Sequence, residues 1–242
     1  MENVKFVLVC LAIFAGLFLL ALWFEKLLVK NRKKLSDTHY ITYPAVLSAV
    51  AGVLMLFEIP LFFAPSFYKL DLSELPVLIC TFYLGPVAGV VSELLKVCIK
   101  LILKGTTTAF VGDFANFAVG CSFVLPASIL YHSRLSRQRA ILGLVVGTLF
   151  MTVFGSVFNA VYLLPKFSAL FGMPLDAIVG MGTKVNGAIT SVSTLVLFAV
   201  VPFNLLKGIV VSLLTMLLYK RISPLLHLGD DRKKERKAAL AA

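Results

Sequence analysis

Near the end of the chain, the run Val201-Pro202-Phe203-Asn204-Leu205-Leu206-Lys207-Gly208 sets an amide and an ammonium three residues apart. The surrounding stretch, Ile189 to Tyr219, is largely apolar. A spacing of three puts Asn204 and Lys207 on one helix face, about one turn apart. A lysine at bilayer depth costs on the order of a few kcal/mol, so it is retained where something uses it. Together the two side chains can donate hydrogen bonds to an acceptor-rich edge of a ligand. Other polar residues interrupt apolar runs: Asn159 shortly before Leu164-Pro165, Asp113 and Asn116 after Gly105-Thr106-Thr107-Thr108, and Asp71, Ser73 and Glu74 after a loop at 65–72.

Bond-making chemistry has no comparable set of residues. No HExxH, GxSxG or GxxxxGK[ST] pattern is present, and Gly180-Met181-Gly182-Thr183-Lys184 has the wrong spacing for a phosphate loop. The cysteines Cys10, Cys80, Cys98 and Cys121 lie in apolar runs without CxxC spacing. They read as small buried hydrophobes rather than a disulfide framework or zinc site. His39, His132 and His227 sit in polar flanks and form no ligand cluster. Neither an enzyme nor a metal or cofactor site is expected.

The elements that must position the polar residues are membrane helices. Of 242 residues, 60% are hydrophobic and 14% charged, with mean hydropathy +0.96; a soluble domain carries about a quarter charged. The formal net charge of +11 resembles a nucleic-acid footprint, but the basic residues cluster beside apolar runs, at Lys30–Lys34, Arg134–Arg139 and Lys220–Lys237. Such flanks orient a chain in a bilayer, and no nucleic-acid partner is expected.

Matching apolar runs to the roughly 20 residues of a crossing predicts spans near 5–28, 41–64, 73–85, 87–103, 111–131, 139–164 and 200–219. The first is too long for a signal peptide and lacks a cleavage site, so it reads as an uncleaved anchor. Gly85-Pro86 is a tight turn between the third and fourth spans. The 165–200 stretch, rich in Gly and Pro, reads as a long connection, with the last helix starting at Pro202; a continuous kinked helix is the alternative. Cytoplasmic basic flanks then place 65–72, 104–110 and 165–200 outside. With Pro202 as the start, Lys207 lies about 8 Å into its helix, level with Asn159.

Four elements thereby bring polar groups to the outer leaflet, the pattern of a pocket between helices. Each residue alone also suits a plainer role. Asn159 could bond between helices, Lys207 could snorkel, Asp113 could cap a helix, and Glu93, Lys96 and Lys100 could form internal ion pairs. Ala45 and Ala49, beside Ser48 and Gly52, give small-xxx-small patterns for close helix approach, either within the chain or to a partner.

Several segments carry a resemblance. Tyr68 to Pro76, Gly105 to Thr108 with Gly112 to Phe117, Asn159 with Leu164-Pro165, and Pro202 to Gly208 resemble the riboflavin-binding S components of energy-coupling factor (ECF) transporters. The resemblance covers roughly residues 38–222. It implies an all-α polytopic membrane helical bundle with a six-helix S-component core; the first predicted span is then one extra N-terminal transmembrane helix, which, like the long 165–200 connection, departs from the family's simplest pattern. The implied domains are an anchor helix and basic linker at 1–37, a riboflavin-binding core at 38–222 and a charged cytoplasmic tail at 223–242.

It further implies a non-enzymatic subunit that captures riboflavin outside a prokaryotic plasma membrane. Uptake would be powered by a T component and two cytoplasmic ATPases, with riboflavin as cargo rather than cofactor and FMN open as a second cargo. Asn159, Asn204 and Lys207 would bind the flavin's polar edge, with the Gly112 backbone contributing. Leu70, Asp71, Glu74, Thr107 and Asn116 complete the implied site, the 65–74 loop closes over it, and Ala45 and Ala49 dock on the T component. The alternative is an S component for another vitamin or a nucleobase-like compound.

Overall fold

The computed structural model describes residues 2–29, 38–108 and 110–219. The basic cluster Lys30–Lys34 and the expected tail at 223–242 lie outside the described residues. Nearly all of the described chain is helical: α1 Glu2–Leu28, α2 Thr38–Leu54, α3 Glu74–Leu84, α4 Pro86–Lys104, α5 Val111–Ser133 and α6 Arg137–Phe158. A π-helical turn, Asn159–Leu163, joins α6 to α7 (Leu164–Phe171), followed by α8 (Leu175–Thr183). The short α9 (Val192–Leu195) passes through a second π-helical turn, Val196–Val200, into α10 (residues 201–219). Among the described residues, four helical rods are long and apolar enough to cross a membrane: Leu8–Leu28, Val111–Ser133, Arg137–Phe171 and Val192–Tyr219.

Several boundaries differ from the sequence reading. The second apolar run stops being helical at Leu54, and Ile59–Pro60 instead pairs antiparallel with Lys69–Leu70 as a small β-hairpin. This hairpin (β1, β2) is the one β element among the described residues. The 165–200 stretch is not an open connection but mostly α7, α8 and α9. Pro202 does not start the last helix either. The rod begins at Val192, where Ser191 forms a capping box with Thr194.

Both prolines are absorbed in the same way. In the π turns, Leu164 N–H reaches Asn159 O and Val201 N–H reaches Val196 O, five residues back. Each wider turn lies just ahead of a proline ring, Pro165 or Pro202, that an ordinary α-turn would drive into the carbonyl four residues back.

The bundle is held by close backbone approach and apolar stripes. α5 and α6 are the most extensively packed pair. Their contact depends on glycine: a Cβ on Gly143 would stand 2.6 Å from the Ala127 carbonyl oxygen, and one on Gly147 2.6 Å from that of Phe123. Gly52 of α2 meets Ile99 of α4 equally closely, and Ser48 is fully buried, whereas Ala45 and Ala49 face outward. One small-residue pattern therefore packs inside the chain and the other is exposed.

α1 lies against the bundle through Phe14, Leu17, Phe18, Ala21 and Leu22, packed on Val90, Val97, Phe117 and Cys121. That spacing is one helical stripe. The stripe ends at buried Glu25, whose Oε2 accepts the Val87 N–H at 2.9 Å and whose Oε1 accepts the Tyr40 hydroxyl at 3.2 Å. A carboxylate is well placed at the N-terminus of α4, where Pro86 contributes no N–H.

The close α5–α6 contact makes a direct prediction. Gly143→Ala forces a backbone oxygen to move and should cost about 1–3 kcal/mol, seen as a lower thermal midpoint in detergent. Gly16→Ala, inside α1 with nothing within 4 Å, should not lower the midpoint, because alanine favours the helix there.

Candidate functional site

At the end of the bundle where α3, α5 and α10 present their N-terminal portions lies a cavity of about 540 Å³, within the usual range for small-ligand sites. The hairpin region covers it with Glu58, Phe67, Tyr68, Lys69 and Asp71, and Glu74 enters from the first turn of α3. Lys100 and Lys104 come from α4, Thr107 and Thr108 from the following loop, and Gly112, Asp113 and Asn116 from α5. Asn159 stands at the first π turn, Phe167 on α7, and Phe203, Asn204 and Lys207 on α10.

Of the residues singled out in the sequence, Asn159, Asn204, Lys207, Gly112, Asn116, Asp71, Glu74 and Thr107 all line this cavity. Leu70 does not; it is buried on β2 between Lys69 and Asp71, which do. Alternation along an extended segment accounts for the difference. Ala45 and Ala49 lie on α2, away from the cavity.

Lys207 neither snorkels nor stands alone. Its Nζ lies 3.0 Å from Asp71 Oδ2 and 3.0 Å from Glu74 Oε1. Glu74 Oε2 is engaged by Lys96, and the single Ser73 O–H is shared between Glu74 Oε2, at 2.8 Å, and Asp71 Oδ1. Lys96 in turn faces Glu93 at 2.7 Å. All five charged residues are at most 6% exposed. A second pair, Lys100 and Asp113 at 2.5 Å, receives the Thr106 hydroxyl at 2.6 Å. The Glu93–Lys96–Lys100 row is therefore internal ion pairing, as its spacing suggested.

Asp113 is not a helix cap. α5 starts at Val111 after a left-handed Phe110 (φ 69°), and Asp113, in the first turn, is taken by Lys100 and Thr106.

The amides differ in how far they are occupied. Asn159 Oδ1 accepts the Tyr68 hydroxyl at 2.7 Å, and its Nδ2 donates to Gly155 O at 2.8 Å. Asn116 donates to Gly112 O at 3.2 Å, and Gly112 N–H is taken by the Thr108 hydroxyl at 3.1 Å. Asn204 Nδ2 is buried with no hydrogen-bond partner among the described residues, in space left by the missing side chain of Gly155. A buried donor of this kind costs about 1–3 kcal/mol until an acceptor reaches it. Lys207 has three N–H groups, two of which face carboxylates, so one remains for the cavity.

Aromatic rings supply the walls. Phe67 and Tyr68 lie 4.6 Å apart between centroids, and Tyr68 and Phe203 5.6 Å. Phe67 and Phe167 were not singled out in the sequence; Tyr68 and Phe203 stood only inside the motifs Tyr68 to Pro76 and Pro202 to Gly208, without a role of their own. The cavity thus combines aromatic surfaces with amide, ammonium and carboxylate groups.

At the rim, Glu58 holds Lys69 at 2.9 Å and Lys104 at 2.8 Å. Partial burial acts to raise its carboxyl, but the hydrogen bonds and charges of Lys104 and Lys69 outweigh this and hold it below the ordinary carboxylate range. A lowered folded value means the clasp contributes fully at neutral pH and is lost only as pH falls through that value.

The buried network predicts unequal costs. Lys96→Met removes the cation between two buried carboxylates and should destabilise by about 3–5 kcal/mol. Lys69→Ala at the exposed rim should cost about 1 kcal/mol or less. Thermal unfolding of the two variants in the same detergent checks the contrast.

The family model for the ECF transporter, substrate-specific component, matches residues 39–219. The chain is 35% identical over 179 residues to the riboflavin transporter RibU of Staphylococcus aureus (strain TCH60), covering 74% of this chain and 87% of that protein. It is 30% identical over 181 residues to the riboflavin transporter FmnP of Bacillus subtilis (strain 168), covering 74% and 90%. A solved chain, described as the S component of a bacterial ECF transporter, superposes with a TM-score of 0.60 at 34% identity, covering 77% of this chain and 96% of its own. The match spans every element that lines the cavity, and the chain belongs to the substrate-specific components of ECF transporters.

Proposed function

We infer that this chain is the membrane subunit that captures riboflavin for an ECF transporter. The observation that carries the reading is the cavity's mixed lining: Lys207, Asn204 and Asn159 bring hydrogen-bonding groups to it, and Phe67, Tyr68, Phe167 and Phe203 bring flat aromatic faces. Riboflavin matches both parts. Its ring system is flat and aromatic, and one edge carries carbonyl and nitrogen acceptors for the lysine and amide donors. Thr107, Asn116 and the Gly112 region then face the hydroxyl-rich ribityl chain. Relatives named riboflavin transporters support this ligand over another vitamin.

The charge pattern supports an outward-facing cavity. α5 runs from the cavity to the Arg134–Arg139 turn, and α10 runs from the cavity to Tyr219, whose hydroxyl meets that of Tyr131 at 3.1 Å. The basic turn and the approach to Lys220-Arg221 therefore share the end opposite the cavity. By the positive-inside rule that end is cytoplasmic, which puts the C-terminus inside and the hairpin lid outside. On this reading the chain crosses seven times, α1 ahead of a six-helix core built from α2, α3, α4, α5, α6–α7 and α9–α10. Residues 1–37, 38–222 and 223–242 are then its anchor, core and tail.

Uptake needs energy that this chain has no motif to supply. A transmembrane T component and two cytoplasmic ATPases are the partners the family reading calls for. The exposed Ala45–Ala49 face of α2 is the proposed contact with the T component, since small side chains let a second helix come close.

Purified protein titrated with riboflavin, followed by flavin fluorescence, tests the reading. Wild type should bind. Lys207→Ala should weaken binding by about 10- to 150-fold, for a charge-assisted hydrogen bond of 1.5–3 kcal/mol, and Asn204→Ala by about 2- to 12-fold for a neutral one. Wild type that shows no riboflavin binding would remove the assignment.

A further inference from the structure

Glu93 does not line the cavity, yet it stands at the far end of a chain of charges that leads into it. Its carboxylate faces Lys96 at 2.7 Å, Lys96 engages Glu74 Oε2, and Glu74 Oε1 holds Lys207 at 3.0 Å. Glu93 and Lys96 are 0% exposed. Neither Glu93 oxygen has a hydrogen-bond partner among the described residues, so its approach to Lys96 is that of an ion pair without hydrogen-bond alignment. α5 makes room for this carboxylate with Gly120, where any Cβ would overlap it. A carboxylate given this space, fully buried and satisfied only by one shared ammonium, is costly unless that ammonium depends on it.

We propose that Glu93 is a positioning residue for ligand capture, acting through Lys96 and Glu74 on Lys207. Lys96 sits between two carboxylates that compete for it. Glu93 draws the ammonium toward α5, which leaves Glu74 Oε1 with the negative charge that holds Lys207. Without Glu93, Lys96 neutralises Glu74 more completely, and Lys207 keeps only Asp71 as a full partner. The free N–H that Lys207 offers the ligand is then no longer oriented before binding. Asp71 reaches the same lysine from the hairpin side, and the Lys100–Asp113 pair is separate, so the effect runs along this one chain of charges. The inference rests on riboflavin as the ligand and on Lys207 as a contact for it.

The test is a double-mutant cycle read by riboflavin titration. Glu93→Gln should weaken binding by about 3- to 10-fold, the size expected for losing one pre-ordered side chain. In a Lys207→Met background the same Glu93→Gln change should shift binding by less than about 1.5-fold, because its route to the ligand is gone. Equal losses in both backgrounds would mean a general structural role and would overturn the proposal, as would full affinity in Glu93→Gln alone. If Lys207→Met does not fold, Lys207→Met made together with Asp71→Asn removes opposite charges at once and serves as the background. Where Glu93→Gln does not fold, Gly120→Ala, which displaces the carboxylate but keeps its charge, takes its place with the same expectations. Wild type runs in parallel: failure of wild type to bind riboflavin refutes the ligand, whereas binding by wild type with an additive cycle refutes only the role of Glu93.

Discussion

Five charges buried where helices meet are the constraint around which the rest of the bundle is arranged. Asp71 and Glu74 enter from the lid and the start of α3, Glu93 and Lys96 from α4, and Lys207 from α10. Each ion loses several kcal/mol of hydration on burial. A pair 3.0 Å apart regains on the order of 5 kcal/mol at an effective dielectric of 20. No single pair offsets the cost with much to spare, so the network holds only when all its elements are in register. That requirement ties α3, α4 and α10 together behind the cavity. It also explains how α4 can carry four charged residues, Glu93, Lys96, Lys100 and Lys104, and still pack inside a membrane protein: three are paired within the bundle and Lys104 reaches Glu58 at the rim.

Proline and the π-helical turns shape another part of the cavity. The two π turns contact one another, one beginning at Asn159 and the other ending at Val200, four residues before Asn204. A wider turn shifts the side chains that follow it relative to an unbroken α-helix, which is one reason such turns recur at functional sites. Here the same feature that accommodates Pro165 and Pro202 brings two asparagines from separate rods into one cavity. Gly155 and Gly112 complete the arrangement, the first giving space to the Asn204 amide and the second a close seat for the Thr108 hydroxyl.

Much of the site was legible because charged and amide side chains are conspicuous in apolar sequence. Asn204, Lys207, Asn159, Asp71 and Glu74 stood out for that reason, and the structure brings them to one cavity. The internal pairing of Glu93, Lys96 and Lys100 was legible from helical spacing. The aromatic walls were not, since Phe67, Phe167 and Phe203 are ordinary residues in a chain with 20 phenylalanines. Proline was misleading at Pro202, because its usual role as a helix start concealed a π turn that only the three-dimensional path reveals. Counted from Tyr219, Lys207 lies twelve residues, about 18 Å, along α10. With the proposed cytoplasmic C-terminus and a bilayer core about 30 Å thick, that length would put it in the outer half, although the last helix does not start at Pro202 as the sequence suggested. The hairpin was missed because two-residue strands leave too little alternation to read.

The central claim is that Lys207, held by Asp71 and Glu74, presents its remaining N–H to the flavin's polar edge. An experimental structure of the protein with riboflavin bound tests this most directly. The account predicts the ring between the aromatic walls, with an acceptor of its polar edge within hydrogen-bond distance of Lys207 Nζ and of the Asn204 amide. Riboflavin bound elsewhere, or seated in this cavity with Lys207 still contacting only Asp71 and Glu74, would contradict it.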